Sequence, residues 1–340
     1  MRLPDFLIIG AAKAGTTSLH ALLAQHPGIF MSNPKEPEFF ARDDRYSNGI
    51  QSYSDIFSGA APGQICGEAS TIYSLNKFFP KTPQRIASHL PNVKFIYMLR
   101  NPIDRAYSYY LQIVKNRQNA TGENRVRRSF EECIFPDLFP DRASAEDFFA
   151  TFDCHLPDSP DLFLAGSRYA DQISAYSEHF PTDRFLFLLF EDFVADQKLA
   201  IQQVLSFLGQ SPMPVTASPR SEVRRNISLD HFQKMEQASR RVNLRRRMGQ
   251  LAALRHLFPT GLRRKIADHF VQNLPGMDSG QHVPPPMQPA TRTYLEQYFA
   301  PQIPICAQMT GLDLSSWRLS DSGLEARNLE QGQDRCRGLQ

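Results

Sequence analysis

The chain has 340 residues, 41% of them hydrophobic and 21% charged, with a formal net charge of +3. That balance belongs to a folded globular protein and excludes an intrinsically disordered chain, a collagen-like repeat and a disulfide-stapled miniprotein. Five scattered cysteines, Cys66, Cys133, Cys154, Cys306 and Cys336, never form a C-x-x-C pair, so they signal neither a zinc site nor a disulfide framework and fit a reducing cytoplasm.

The N-terminal apolar run, Phe6 to Ile9, is shorter than the ~7 to 15 residues of a signal-peptide core. The longest apolar run, Phe185 to Phe190, has six residues against the ~20 that span a bilayer. The expectation is a soluble cytoplasmic protein.

In chain order, Phe6 to Ile9 reads as a short buried strand, and Thr16 to Gln25 places Leu19, Leu22 and Leu23 at helical spacing. Thr82 to Leu90 reads as a helix, Val93 to Leu99 as a buried strand, and Asn101-Pro102 opens a helix to about Lys115. Asn116 to Arg128, with four arginines and no apolar period, reads as a loop and a candidate lid. Arg168 to Phe180 is predicted helical, Phe185 to Phe190 a strand, and Val194 to Leu208 a single helix closed by Gly209. His282 to Pro289 holds four prolines and reads as an extended connector. Thr291 to Met309 then reads as a closing helix pair broken at Pro301 and Pro304. Strands alternating with helices imply an α/β fold, a parallel sheet with helices on both faces.

Gly10-Ala11-Ala12-Lys13-Ala14-Gly15-Thr16-Thr17 follows a predicted strand and opens a predicted helix. Small residues let the backbone bend round an anion, and the helix start favours negative charge, so phosphate is the expected guest. The frame matches the nucleotide-hydrolase loop except that Thr16 stands at the lysine position and the lysine sits at position 13. Of the predicted strand ends, only the Phe190-Glu191-Asp192 segment offers an aspartate for magnesium, Asp192, which weakens a metal-dependent kinase reading. A second anion site is read in Arg100, at the carboxyl end of a predicted strand, with Ser108 about two turns into the next helix.

Together these segments resemble the sulfotransferase family that uses 3′-phosphoadenosine 5′-phosphosulfate (PAPS), in its bacterial and glycan-modifying branches. Gly67-Glu68-Ala69-Ser70 and Gly166-Ser167-Arg168-Tyr169 extend the likeness over residues 5 to 210. The resemblance implies a P-loop-type three-layer fold, a central parallel sheet flanked by helices, with helical and loop insertions. It implies that Lys13 meets the bridging and sulfonate oxygens, that Ala14, Gly15, Thr16, Thr17 and Ser18 form the 5′-phosphate loop, and that Arg100 and Ser108 hold the 3′-phosphate. Arg224 and Arg225 stand where the family's later basic loop would close over the nucleotide, although their pattern departs from it. PAPS is then the co-substrate and no metal is required.

The resemblance also assigns the base. Glu-x-x-Phe-Phe, the form in which glycan sulfotransferases place their catalytic glutamate, falls on Glu36 in Lys35-Glu36-Pro37-Glu38-Phe39-Phe40, with Glu38 the runner-up. Partial desolvation by the aromatic pair would raise its pKa toward a useful range. Glu68 is a further carboxylate at a predicted strand end, placed to orient the site or the acceptor. His20, His26 and His89 lack acidic neighbours in sequence and read as structural or surface residues.

Arg220 to Lys265 carries 13 Lys and Arg against 3 Asp and Glu. A solvated helix face is the first reading; contact of residues 240–265 with an acceptor or an anionic membrane is the second. Nucleic acid comes last, since no recognition motif accompanies the charge. The expected organisation is one sulfotransferase domain, 1–318, with its core at 5–210, a helical acceptor or lid region at 211–290 and closing helices at 291–318, followed by a polar tail at 319–340. Residues 33–60, 116–165 and 220–285 would wall a glycan, lipid or small-molecule acceptor. The rival readings are a P-loop nucleotide kinase and a catalytically silent PAPS-binding or membrane-associated module.

Overall fold

The computed structural model describes residues 1–121, 129–135, 161–212 and 284–317, without the side chains of 116–121. The chain divides into two compact units: residues 1–106, 161–223 and 288–340 form one, and residues 107–160 and 224–287 the other.

The first unit is built on a five-stranded sheet of β1 (Phe6–Gly10), β2 (Ile29–Met31), β3 (Ile65–Ala69), β4 (Lys94–Leu99) and β5 (Phe185–Leu189). Every pairing is parallel and the order is β2-β3-β1-β4-β5. All five residues of β1 are buried, because a central parallel strand is covered on both faces and so reads as a continuous apolar run. The interior is tight enough to dictate residue size: a Cβ on Gly67, which pairs in register with Phe6, would run into the Phe6 ring.

Helices cover both faces. α1 (Thr16–Leu23) packs against β2 and β3. α2 (Asp43–Tyr46), α3 (Gly49–Ser54) and α4 (Thr82–His89) follow on the way to β4. On β4, Phe95 and Tyr97 share a face, where their rings meet Tyr176 at 5.3 Å and Tyr169 at 6.0 Å. Lys94 points the other way and donates to the Phe207 carbonyl at 2.6 Å, so alternate β4 residues serve the two helical layers.

α5 (Pro102–Thr121) starts in the first unit and continues in the second, where α6 (Phe130–Ile134) follows it. In the second unit the Phe130 ring packs on Tyr107 at 5.4 Å and Tyr110 at 5.5 Å. Ser129 caps α6: its hydroxyl accepts from Glu132 N at 3.2 Å while the Glu132 carboxylate accepts from Ser129 N at 2.7 Å. Back in the first unit come α7 (Asp161–Ala165), α8 (Tyr169–Ser177), α9 (Phe190–Ala195), α10 (Gln197–Leu208), α11 (Pro289–Phe299) and α12 (Gln302–Thr310).

The predicted α/β class and parallel three-layer sheet stand, with three corrections to the elements. α5 runs to Thr121, past the expected loop start at Asn116, since no glycine or proline interrupts it before Gly122; a missing apolar period reports a missing buried face, not a missing helix. The single helix expected from Val194 to Leu208 is two, α9 and α10. Asp196 leaves helical geometry (φ −142°, ψ 88°) and its carboxylate accepts from Leu199 N at 3.0 Å, starting a new helix. The break between α11 and α12 falls at Pro301 alone, and Pro304 is absorbed in the first turn of α12.

Chain order explains where a ligand would sit. From β1 the chain passes to β2 and β3 on one side, then crosses to β4 and β5 on the other, so the topological switch point lies at the carboxyl end of β1. Gly10, where the phosphate turn begins, is the last residue of that strand.

Candidate active site

The phosphate turn is folded by three positive φ angles: Gly10 at 150°, Lys13 at 73° and Gly15 at 89°. Ala11 N donates to the Met98 carbonyl at 2.7 Å, anchoring the turn to β4, and Ala14 N closes it onto the Ala11 carbonyl at 3.1 Å. Ser18 N and Leu19 N then bond to the Gly15 carbonyl and begin α1. Gly15 has two reasons to be glycine: its φ, and the Phe190 ring, which a Cβ there would meet at 3.1 Å. Lys13 has no such excuse. A lysine in the left-handed region costs about 1 kcal/mol, strain of the kind that collects where a backbone is shaped for a ligand. No acidic residue stands in the first turn of α1 and no side chain caps it, leaving the positive end of the helix to an anion.

Arg100 reaches the same turn. Its Nη1 donates to the Lys13 carbonyl at 3.0 Å, and its guanidinium lies over the Phe190 ring, 4.7 Å from the centroid. The Phe190 ring therefore backs both Gly15 and Arg100. Tyr169 brackets the arginine backbone, its hydroxyl donating to the Arg100 carbonyl at 2.8 Å and accepting from Arg100 N at 3.3 Å. Burial pushes the Arg100 guanidinium below its ordinary value, opposed by the carboxylates of Asp104 and Glu191. Asn101 follows as the cap of α5, its side-chain oxygen accepting from Ile103 N and Asp104 N at 3.1 and 3.3 Å. Among the phosphate-turn residues, Thr16 is buried in α1 and Thr17 exposed. Ser108 lies on α5 in the second unit and is buried. Arg224, Arg225, the 240–265 stretch and nearly all of the expected acceptor walls beyond residue 121 lie outside the described residues.

Glu36 sits in a turn tied to the carboxyl end of β3, which is itself joined to β1. Ser32 N donates to the Gly67 carbonyl at 2.9 Å, Glu36 N to Ala69 at 3.0 Å, and Ser70 N to Ile8 of β1 at 3.1 Å. The Glu36 carboxylate accepts from Thr71 Oγ1 at 3.1 Å and pairs with the Lys35 ammonium. Glu36 and Glu38 both have left-handed backbones, at φ 64° and 56°. The aromatic pair takes a different part from the one expected: Phe39 stacks on Tyr53 at 4.6 Å and Phe40 meets it edge-on at 5.1 Å, both buried, while the Glu36 side chain stays 31% exposed. Phe39 and Phe40 anchor the turn in the core.

Desolvation acts on two neighbouring acids. Burial raises Glu38, against the pull of Arg45 and Arg42, whose guanidinium nitrogens lie 3.4 Å from its carboxylate. Glu68, fully buried on β3, is pushed up to about 7 by the same cause, against hydrogen bonds from Ser70, Tyr53 and Tyr73. His26 and His89 are structural as expected: His26 lies 3.1 Å from the Ser211 carbonyl and His89 2.9 Å from the Tyr46 hydroxyl. His20 is different. It lies near enough to Lys35 and Glu36 to feel both charges, and burial lowers its pKa.

Sequence reasoning placed the two anion motifs and the Glu36 turn, and the structure brings the first two into direct contact. It missed Phe190, assigned only to a strand end, and Thr71; no local signal marks either, since each meets its partner, Arg100 or Glu36, across a long stretch of chain. Among the described residues, no group of three or more His, Cys, Asp or Glu is arranged to hold a metal ion, and no helix is long and apolar enough to cross a membrane.

The family model described as a sulfotransferase domain matches residues 3–278. Human bifunctional heparan sulfate N-deacetylase/N-sulfotransferase 3 is 31% identical over 217 residues, which are 62% of this chain and 23% of that protein. Mouse heparan sulfate glucosamine 3-O-sulfotransferase 3B1 is 29% identical over 208 residues, 61% of this chain and 46% of that protein. The chain thus spans less than half the length of either relative. The crystal structure of a sulfotransferase from Alicyclobacillus acidocaldarius superposes with a TM-score of 0.59 at 25% identity, covering 94% of this chain and all of that one.

Proposed function

The chain belongs to the sulfotransferase family, and from that premise we propose that it moves a sulfonate group from PAPS to a hydroxyl or amine of an acceptor, with Glu36 as the base. The observation that carries the reading is the Arg100 hydrogen bond to the Lys13 carbonyl, which sets the two segments read as anion sites side by side at adjacent strand ends. A carrier with phosphate at both the 5′ and 3′ positions needs two such grips. Gly15, Thr16, Thr17 and Ser18 are suited to the 5′ end through the start of α1, and Arg100 to the 3′ end.

In the proposed step Glu36 removes the acceptor proton, the acceptor oxygen or nitrogen forms its bond to sulfur, and the sulfur–oxygen bond to the 5′-phosphate breaks in line with it. Adenosine 3′,5′-bisphosphate (PAP) leaves with the bonding electrons, and Lys13 offsets the charge gathering on its phosphate. Glu36 suits this part because its carboxylate is oriented by Thr71 yet open to an incoming group. Two relatives are named for heparan sulfate and glucosamine, so a glucosamine-containing glycan is the acceptor class proposed first.

Calorimetry with PAP against ATP, with and without magnesium, tests the donor half: metal-free binding of PAP that is clearly weakened in Lys13→Ala and Arg100→Ala is expected, and a preference for ATP would overturn it. Transfer of radiolabelled sulfonate from PAPS to N-deacetylated heparan sulfate tests the acceptor half. Glu36→Ala should abolish transfer and leave PAP affinity intact, whereas a silent binding module would show no transfer to lose.

A further inference from the structure

We propose that Glu68 is a positioning residue for Glu36: through Tyr53, Ser70 and Tyr73 its buried side chain holds the 36–40 turn in the one conformation that presents the base. The inference rests on the reading of Glu36 given above. Glu68 is 0% exposed on an interior strand, between layers that elsewhere supply apolar side chains. An acid buried there is costly, and an apolar residue of similar size would serve the fold as well. Its contacts supply the reason for it.

The Glu68 carboxylate accepts from Ser70 Oγ at 2.5 Å and from the Tyr53 hydroxyl, and the Tyr73 hydroxyl also reaches it. Each of these partners has a second contact on the turn. Ser70 Oγ accepts from Glu38 N at 2.9 Å, the Tyr73 hydroxyl accepts from Phe40 N at 3.3 Å, and the Tyr53 ring stacks on Phe39 with 15° between the planes. One carboxylate thus touches residues 38, 39 and 40, each through a single intermediary. The residues after it on the chain hold Glu36 itself, since the Ala69 carbonyl accepts from Glu36 N and Thr71 orients the Glu36 carboxylate. A turn with two left-handed glutamates does not hold its shape unaided, because each of those backbones is disfavoured in water.

The test compares Glu68→Gln, Glu68→Leu and Ser70→Ala with the unaltered protein. Glutamine can still accept from Ser70 and keeps the side-chain length; leucine fills the space and cannot. Two readouts are taken: exchange of the Glu38 amide hydrogen in the protein without substrates, and kcat, KM and PAP Kd with PAPS and N-deacetylated heparan sulfate. In Glu68→Leu and Ser70→Ala, Glu38 exchange should rise at least tenfold and kcat fall at least tenfold, with PAP Kd within threefold. Glu68→Gln should keep both within threefold. Native Glu38 protection or native kcat in Ser70→Ala would overturn the proposal even where Glu68→Leu fails to fold, as would a Gln variant as impaired as the Leu variant. Should the unaltered protein transfer to no glycan, the functional reading fails on its own, while the exchange pattern still decides whether Glu68 fixes the turn.

Discussion

The Arg100 guanidinium donates to the backbone carbonyl of Lys13 at 3.0 Å, joining segments 87 positions apart in the chain. The bond does more than tie a loop. It fixes the direction of a cation at the ligand edge of the sheet, and it braces Lys13 in its left-handed conformation. Replacing Arg100 with alanine removes a charge-assisted donor and the tie together. A charge-assisted bond contributes about 1.5 to 3 kcal/mol, so PAP should bind roughly ten- to a hundredfold more weakly by calorimetry. Arg100→Lys should recover only part of the loss, because a single ammonium cannot bond the carbonyl and grip a phosphate in the same plane.

Gly15→Ala should be the most damaging small change in the phosphate turn. It places a side chain at φ 89° and drives a methyl against Phe190. Strain of this kind costs about 1 to 3 kcal/mol, so thermal unfolding should fall by several degrees and PAP binding should weaken sharply by calorimetry.

Glu36→Gln keeps the shape of the side chain and its bond from Thr71 but removes the proposed base. A positioned general base typically contributes about 10² to 10⁴ in rate. Turnover with PAPS should fall within that range while PAP affinity stays within threefold, and unfolding curves should match those of the parent protein.

Stability should depend on pH through Glu68. Its carboxyl is raised by burial from the ordinary 4.5 to about 7. Below 4.5 it is neutral whether the chain is folded or not. Between 4.5 and 7 the unfolded chain releases the proton and the folded chain keeps it, so stability declines across that window and levels off above it. A shift of this size corresponds to about 3 kcal/mol. Urea midpoints measured from pH 4 to pH 8.5 should fall in the parent protein, and the difference between parent and Glu68→Gln should vanish at the acid end and open in favour of glutamine above pH 7.

Much of this was legible in the sequence, for physical reasons that also say where legibility stops. β1 is buried throughout and β4 and β5 over most of their length, so each shows an apolar run of five residues or more. β2 has three residues, too few to show any period, and surfaces only because β3 offers it a ladder. The phosphate turn could be read because strand, glycine and helix follow one another in the chain. The part played by Phe190 could not: it exists only once β5 has paired with β4 and brought the residue that follows it beside Arg100. Glu68 is an intermediate case. Its position at a strand end was visible, but the three hydroxyls that bind it come from α3 and from the turn after β3, and nothing local announces that they converge.

The ring of Phe190 lies beneath the Arg100 guanidinium and also backs the glycine of the turn. Damage to either grip is therefore felt by the other through a shared floor. Thermodynamic cycles pairing Gly15 with Arg100 should show coupling well outside the near-additivity of distant sites, and trimming that one benzyl group should loosen both ends of the nucleotide at once. Selection acting on the carrier would see these three positions as a single unit.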